Sequence, residues 1–98
     1  MKVSDLTVEV HDIKGTCPVY QPGDTFYIKL GFKLVAEKEL CLHSLASVIP
    51  YYTALSRGVS ACDLGLGKAG STAFVQCPDP CAYTGGGTVV LAITPALD

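Results

Sequence analysis

The sequence predicts an α+β domain in which a small antiparallel sheet of about four strands has a helical segment inserted between two strand pairs. Two observations predict this fold class. Apolar residues alternate with polar ones in two segments before residue 35, which is the spacing of half-buried strands, whereas the middle of the chain changes to helical steps of three and four residues. The 98 residues are enough for one domain, 1–98, and too few for two.

The first strand pair is expected before residue 35. Apolar and polar residues alternate from Leu6 to Val10, in a strand that ends near Gly15. A second strand is predicted over 26–34. Its core-facing residues are Phe26, Ile28, Leu30, Phe32 and Leu34. The segment 21–24 has proline and glycine at its central positions, which is typical of a type II turn, so the two strands are expected to pair antiparallel.

The helical segment and the second strand pair follow. The spacing predicts a helix over 43–57, ended by Gly58 and kinked at Pro50, which lacks the amide hydrogen that an interior helical residue donates. Its apolar face consists of Leu45, Val48, Ile49, Tyr52 and Leu55. Two further strands are expected over 72–77 and 88–94, and the second is apolar on both faces, which favours an interior position in the sheet.

Composition and charge limit the partners. The net charge of −2 gives no electrostatic attraction to nucleic acid or to an anionic membrane, so neither is expected as a partner. The most apolar stretch, 40–55, is interrupted by polar residues and is too short to span a bilayer. No export signal is visible after Met1, which predicts a cytoplasmic location. Only 16% of the residues are charged, and this low content favours association as a homodimer.

The cysteines carry the main chemical signal. They are Cys17, Cys41, Cys62, Cys77 and Cys81. In a reducing cytoplasm such thiols indicate metal ligation, redox chemistry or simple burial before structural disulfides. If the turn after the first strand, the start of the helix and the end of the third strand converge, a soft tetrahedral shell for zinc or iron would consist of Cys17, Cys41, His43 and Cys77. The alternative is a purely structural role, in which the same cysteines are small buried hydrophobic residues.

A second chemical hypothesis makes Cys41 a reactive redox cysteine. The amides at a helix N-terminus stabilise an anionic sulfur, and His43 is close in sequence. Residues two apart do not face each other in a helix, so this pair requires a non-helical start. The segment 65–70 matches the glycine pattern of a dinucleotide site, but a strand follows it where a helix is needed, so we interpret it as a connector and expect no nucleotide cofactor.

The whole chain resembles a family of small bacterial and archaeal proteins of about this length that has no assigned activity. The segments that carry the resemblance are GxCP (15–18), GDxF (23–26), LCLHxL (40–45), PY (50–51), VQCPDP (75–80) and GGTV (86–89). The resemblance implies that Cys17, Cys41 and Cys77 are shared positions, whereas Cys62 and Cys81 are not.

Three functions therefore stay open at the level of sequence. The first is a structural, interaction or binding protein without catalysis; the second is a zinc or iron module; the third is a thiol redox protein that uses Cys41. No pair of carboxylates suggests acid/base catalysis. Whether the protein is an enzyme is left undecided by these patterns.

Overall fold

A computed structural model describes residues 2–68 and 70–96, and these form one antiparallel sheet with a helix on one face. The elements are β1 (Leu6–Gly15), β2 (Thr25–Lys29), β3 (Lys33–Val35), α1 (Leu42–Ser56), β4 (Ala73–Gln76), a short 3-10 helix (Cys81–Tyr83) and β5 (Gly87–Pro95). The five strands lie in the order β3-β2-β1-β5-β4. The predicted α+β class is confirmed, and β5 is an interior strand as its apolar faces indicated.

The continuous second strand predicted over 26–34 is wrong, because the chain turns back on itself there. Leu30 and Gly31 have φ values of 60° and 82°, and the Phe32 amide donates to the Lys29 carbonyl oxygen at 3.2 Å. The result is a β2–β3 hairpin in which Ile28 lies opposite Leu34. Opposite residues share a face of the sheet, so the hairpin preserves the alternation of a continuous strand, and the pattern could not distinguish the two.

The core lies between α1 and one face of the sheet. Buried side chains from β1, β2, β4 and β5 meet Val48 and Leu55 of α1, which are each 1% exposed. The predicted helix is confirmed with small shifts at its ends: α1 contains Pro50, and Gly58 follows the C-cap residue with a φ of 91°. The predicted turn at 21–24 also forms, since the Asp24 amide donates to the Gln21 carbonyl oxygen and Gly23 has positive φ.

The helices are too short to span a bilayer over the residues that the structure describes. In residues 2–68 and 70–96, no helix is long and apolar enough to cross a membrane. The 15 residues of α1 extend over about 22 Å, which is shorter than the hydrocarbon layer of about 30 Å.

Candidate functional site

The four residues predicted as metal ligands border a single cavity of about 260 Å³. The cavity lies at the end of the sheet where β1 and β4 stop and α1 begins. The lining residues are Cys17, Pro18, Val19, Tyr20, Cys41, His43, Ser44, Cys77, Asp79, Gly87 and Val89. Four separate segments of the chain therefore bring three thiols, an imidazole and a carboxylate to one place.

Two of the three thiols are held by backbone amides. The Tyr20 amide donates to Cys17 Sγ at 3.3 Å, and the Val89 amide donates to Cys77 Sγ at 3.2 Å. The Cys77 thiol also lies 3.7 Å from the Gly87 carbonyl oxygen, to which it donates, and Cys77 is only 5% exposed. These amide hydrogen bonds fix the positions of the two sulfurs, and burial restricts access to Cys77.

Cys41 occupies a different kind of position, the N-cap of α1. Its backbone is extended, with φ −81° and ψ 127°, and its side chain makes no capping hydrogen bond. The helix begins one residue later, at Leu42, so the non-helical start that a Cys41 and His43 pair requires is present. Because both side chains border the cavity, the thiol and the imidazole share one opening.

A closed ring of hydrogen bonds fixes the backbone of Cys41. The Cys41 amide donates to Tyr20 Oη at 3.0 Å, and Ser44 Oγ donates to the Cys41 carbonyl oxygen at 2.7 Å. Since each hydroxyl has one proton, Tyr20 Oη donates to Ser44 Oγ, 2.7 Å away. Tyr20 and Ser44 are 3% and 1% exposed, so the ring is buried. It holds the backbone of Cys41 and leaves the sulfur unengaged.

Asp79 is an ionised group on the rim of the cavity. The Thr84 hydroxyl donates to its carboxylate and, against the opposing effect of desolvation, holds the pKa of Asp79 below its ordinary value. The Cys81 amide, 2.9 Å from Asp79 Oδ1, and the nearby charge of His43 lower that pKa further. Asp79 is therefore a fixed negative charge that faces the imidazole.

The cysteines outside the resemblance do not line the cavity. Cys62 is exposed in the turn after α1. Cys81 is half-buried, and its sulfur lies 3.4 Å from the Lys14 carbonyl oxygen. The glycine segment 65–70 precedes β4, as a connector does, although Ala69 lies outside the described residues.

The donor groups around the cavity bear on the predicted metal site. Over the part of the chain that the structure describes, no three His, Cys, Asp or Glu side chains form a group that could hold a metal ion. The predicted zinc or iron ligands thus share a cavity but do not stand in a ligating arrangement. A metal site would need at least one side chain to rotate toward the others.

Sequence reasoning missed Tyr20, Ser44 and Asp79. Tyr20 is an aromatic residue three positions after Cys17 in a polar loop, which only weakly indicates a structural role. Asp79 lies between Pro78 and Pro80, where an aspartate is typical of a turn and does not by itself indicate a site. Nothing in the sequence marks Ser44, because its role depends on the tertiary position of Tyr20.

Comparisons with family models, with curated proteins and with solved structures give no match to this chain. The resemblance to the small bacterial and archaeal family therefore stays a prediction. The chemistry of the site rests on its own residues.

Proposed function

We propose that the protein is a cytoplasmic thiol–disulfide redox protein in which Cys41 is the attacking cysteine. The observation that supports this proposal is the placement of Cys41 at an extended N-cap, with a side chain that makes no capping bond and opens on a cavity shared with other thiols. A purely structural cysteine needs no such opening. The buried ring fixes the backbone of Cys41 and so sets the position from which its sulfur attacks.

The surroundings of Cys41 suit a nucleophilic sulfur. The first amides of α1 are not used by a capping side chain and are available to an anionic sulfur, and the first turn contains no acidic residue that would oppose it. His43 borders the same cavity and can accept the thiol proton. Asp79 faces His43 and stabilises the imidazolium that results.

The reaction begins with the Cys41 thiolate. It attacks one sulfur of a disulfide substrate, forms a mixed disulfide and releases the other sulfur as a thiolate. Cys17, which is half-buried and borders the same cavity, then attacks Cys41 Sγ and releases the second substrate thiolate. The two protein thiols are oxidised to one disulfide, the substrate disulfide is reduced to two thiols, and the two protons pass to the leaving thiolates.

Rates of alkylation at each cysteine test this proposal. The anaerobically reduced protein is treated with iodoacetamide at neutral pH, and the modified peptides are quantified by mass spectrometry over time. Cys41 is expected to react at least about tenfold faster than Cys62. Because Cys62 is exposed and Cys41 only half-buried, accessibility alone would give the opposite order.

The control is the His43→Gln variant, which is expected to slow Cys41 and leave the rate at Cys62 unchanged. Cys62 reacting fastest, with Cys41 slow, would overturn the redox proposal. That order would favour the structural or interaction role, in which the cysteines serve only as packing residues.

A soft-metal site is the second candidate, because Cys17, Cys41, His43 and Cys77 all border one cavity. Two of the sulfurs already accept amide hydrogen bonds, as thiolate ligands commonly do. Elemental analysis of anaerobically purified protein is expected to find near-stoichiometric zinc or iron if this candidate holds. The Cys17→Ser and Cys77→Ser variants would then lose the metal and stability together. Metal-free protein with every thiol titratable contradicts it.

The remaining expectations about partners belong to the same proposal. The protein is placed in the cytoplasm, acts without nucleic acid and associates as a homodimer. The net charge of −2 supports the second of these assignments, and the low content of charged residues supports the third.

A further inference from the structure

The helix is too narrow to cover the sheet. Five strands at a spacing of about 4.8 Å span about 19 Å between the axes of the outermost strands, whereas a helix with its side chains is about 10 Å wide. In the structure α1 packs against β1, β4 and β5. Phe26 and Ile28 of β2 still reach the core, but the turn at Phe32 and the edge strand β3 are only partly covered.

This uncovered part forms an apolar groove of about 240 Å³ beside α1, which we name the hairpin groove. Its residues are Ile28, Phe32, Leu34, Leu45, Val48, Ile49 and Tyr52. None of them is charged. Phe32 is 73% exposed, Leu34 48% and Ile49 58%, which are high values for large apolar side chains on one surface. Leu42, at 77% exposure, lies on the same helical stripe two turns before Ile49.

We infer that the hairpin groove binds a second copy of this chain through a two-fold contact. Each protomer carries both surfaces that such a contact needs, and they lie next to each other. One is the hairpin groove, and the other is the exposed stripe of α1 that contains Leu42 and Ile49. A two-fold axis places the stripe of each copy in the groove of the other. Each copy thereby supplies the missing second helix over its partner's sheet. The inference rests on the proposed homodimer, whose surface it specifies, and is independent of the thiol chemistry.

The exposed area is sufficient for a weak dimer. With about 200 Å² for a fully exposed large side chain, Phe32, Leu34, Leu42 and Ile49 leave about 500 Å² open on one protomer. A symmetric contact would bury about 1,000 Å², the lower limit for specific association. The absence of charge in the groove favours an apolar partner, and the adjoining stripe of this chain has that chemistry.

Sedimentation velocity between about 1 and about 100 μM protein tests the inference. The wild type is expected to pass from monomer to dimer in this range, as interfaces of this size bind with micromolar affinity. Phe32→Lys and Ile49→Lys are each expected to weaken the dimer at least about tenfold, because a lysine would be buried against apolar side chains. The matched control is Tyr83→Lys, at a 90% exposed aromatic residue on the 3-10 helix outside the groove.

Circular dichroism establishes that each variant is folded, and Leu42→Lys serves as the helical variant if Ile49→Lys unfolds. A wild type that stays monomeric at the highest concentration overturns the inference, and the groove then belongs to a different partner. Equal weakening by Tyr83→Lys overturns it as well, since the dimer would use another surface. Alkylation of Cys41 in the same variants keeps this result separate from the redox proposal.

Discussion

The Cys41→Ser variant is expected to lose the reduction of a small disulfide by at least about a hundredfold relative to the wild type. A serine hydroxyl at the N-cap preserves the helix start, since serine is a favoured N-cap residue, but its oxygen does not attack a disulfide sulfur at neutral pH. The measurement is the release of a coloured thiolate from an aromatic disulfide under single-turnover conditions. Cys62→Ser is the matched control and is expected to keep the wild-type rate.

Two further outcomes define the reaction. Cys17→Ser is expected to carry out the first step and then to accumulate as a mixed disulfide on Cys41, visible as an added mass on that peptide. If Cys41→Ser retains the wild-type rate, another thiol is the nucleophile and the proposal fails. If Cys17→Ser completes turnover, Cys77 becomes the resolving thiol, and its 5% exposure would then require local opening.

The order of strands and helix could be predicted from local patterns, because alternation and helical spacing are properties of adjacent residues. The sequence pattern failed where two structures share one pattern, at the β2–β3 hairpin. Phe32 and Leu34 lie an even number of positions after Ile28, so the alternation assigned all three side chains to one face and predicted them in the core. They are exposed because α1 does not cover that edge of the sheet. The position of a helix over a sheet depends on tertiary packing, which local sequence patterns do not report.

Only part of the site could be predicted from the sequence. Cys17, Cys41 and Cys77 each lie at the end of a predicted element, and antiparallel connection brought those ends together around one cavity. The residues that position them were not predictable. Tyr20 and Ser44 act through hydrogen bonds to the backbone of Cys41, and such bonds depend on how a loop folds against the start of a helix.

Replacement of Gly87 by alanine is expected to destabilise the protein by about 1 to 3 kcal/mol and to disturb Cys17. Gly87 is buried at the start of β5, where that strand passes the loop that holds Cys17. A Cβ at Gly87 would lie 2.7 Å from the Thr16 carbonyl carbon and 2.9 Å from the Cys17 nitrogen. Both contacts are with backbone atoms, so the loop itself must move, and the amide bond from Tyr20 to Cys17 Sγ must change with it.

Urea unfolding gives the stability change of the Gly87→Ala variant. The alkylation rate at Cys17 gives the local effect, which we expect as an increase because movement of the loop opens access to this half-buried sulfur. Gly85→Ala is the control, since a Cβ there meets open space and costs only the strain of a φ of 76°. It should leave the rate at Cys17 unchanged. Wild-type stability and an unchanged Cys17 rate in Gly87→Ala would mean that the loop is not pinned by β5. In that case the position of Cys17 would depend on Tyr20 alone, whose hydroxyl joins the same loop to the start of α1.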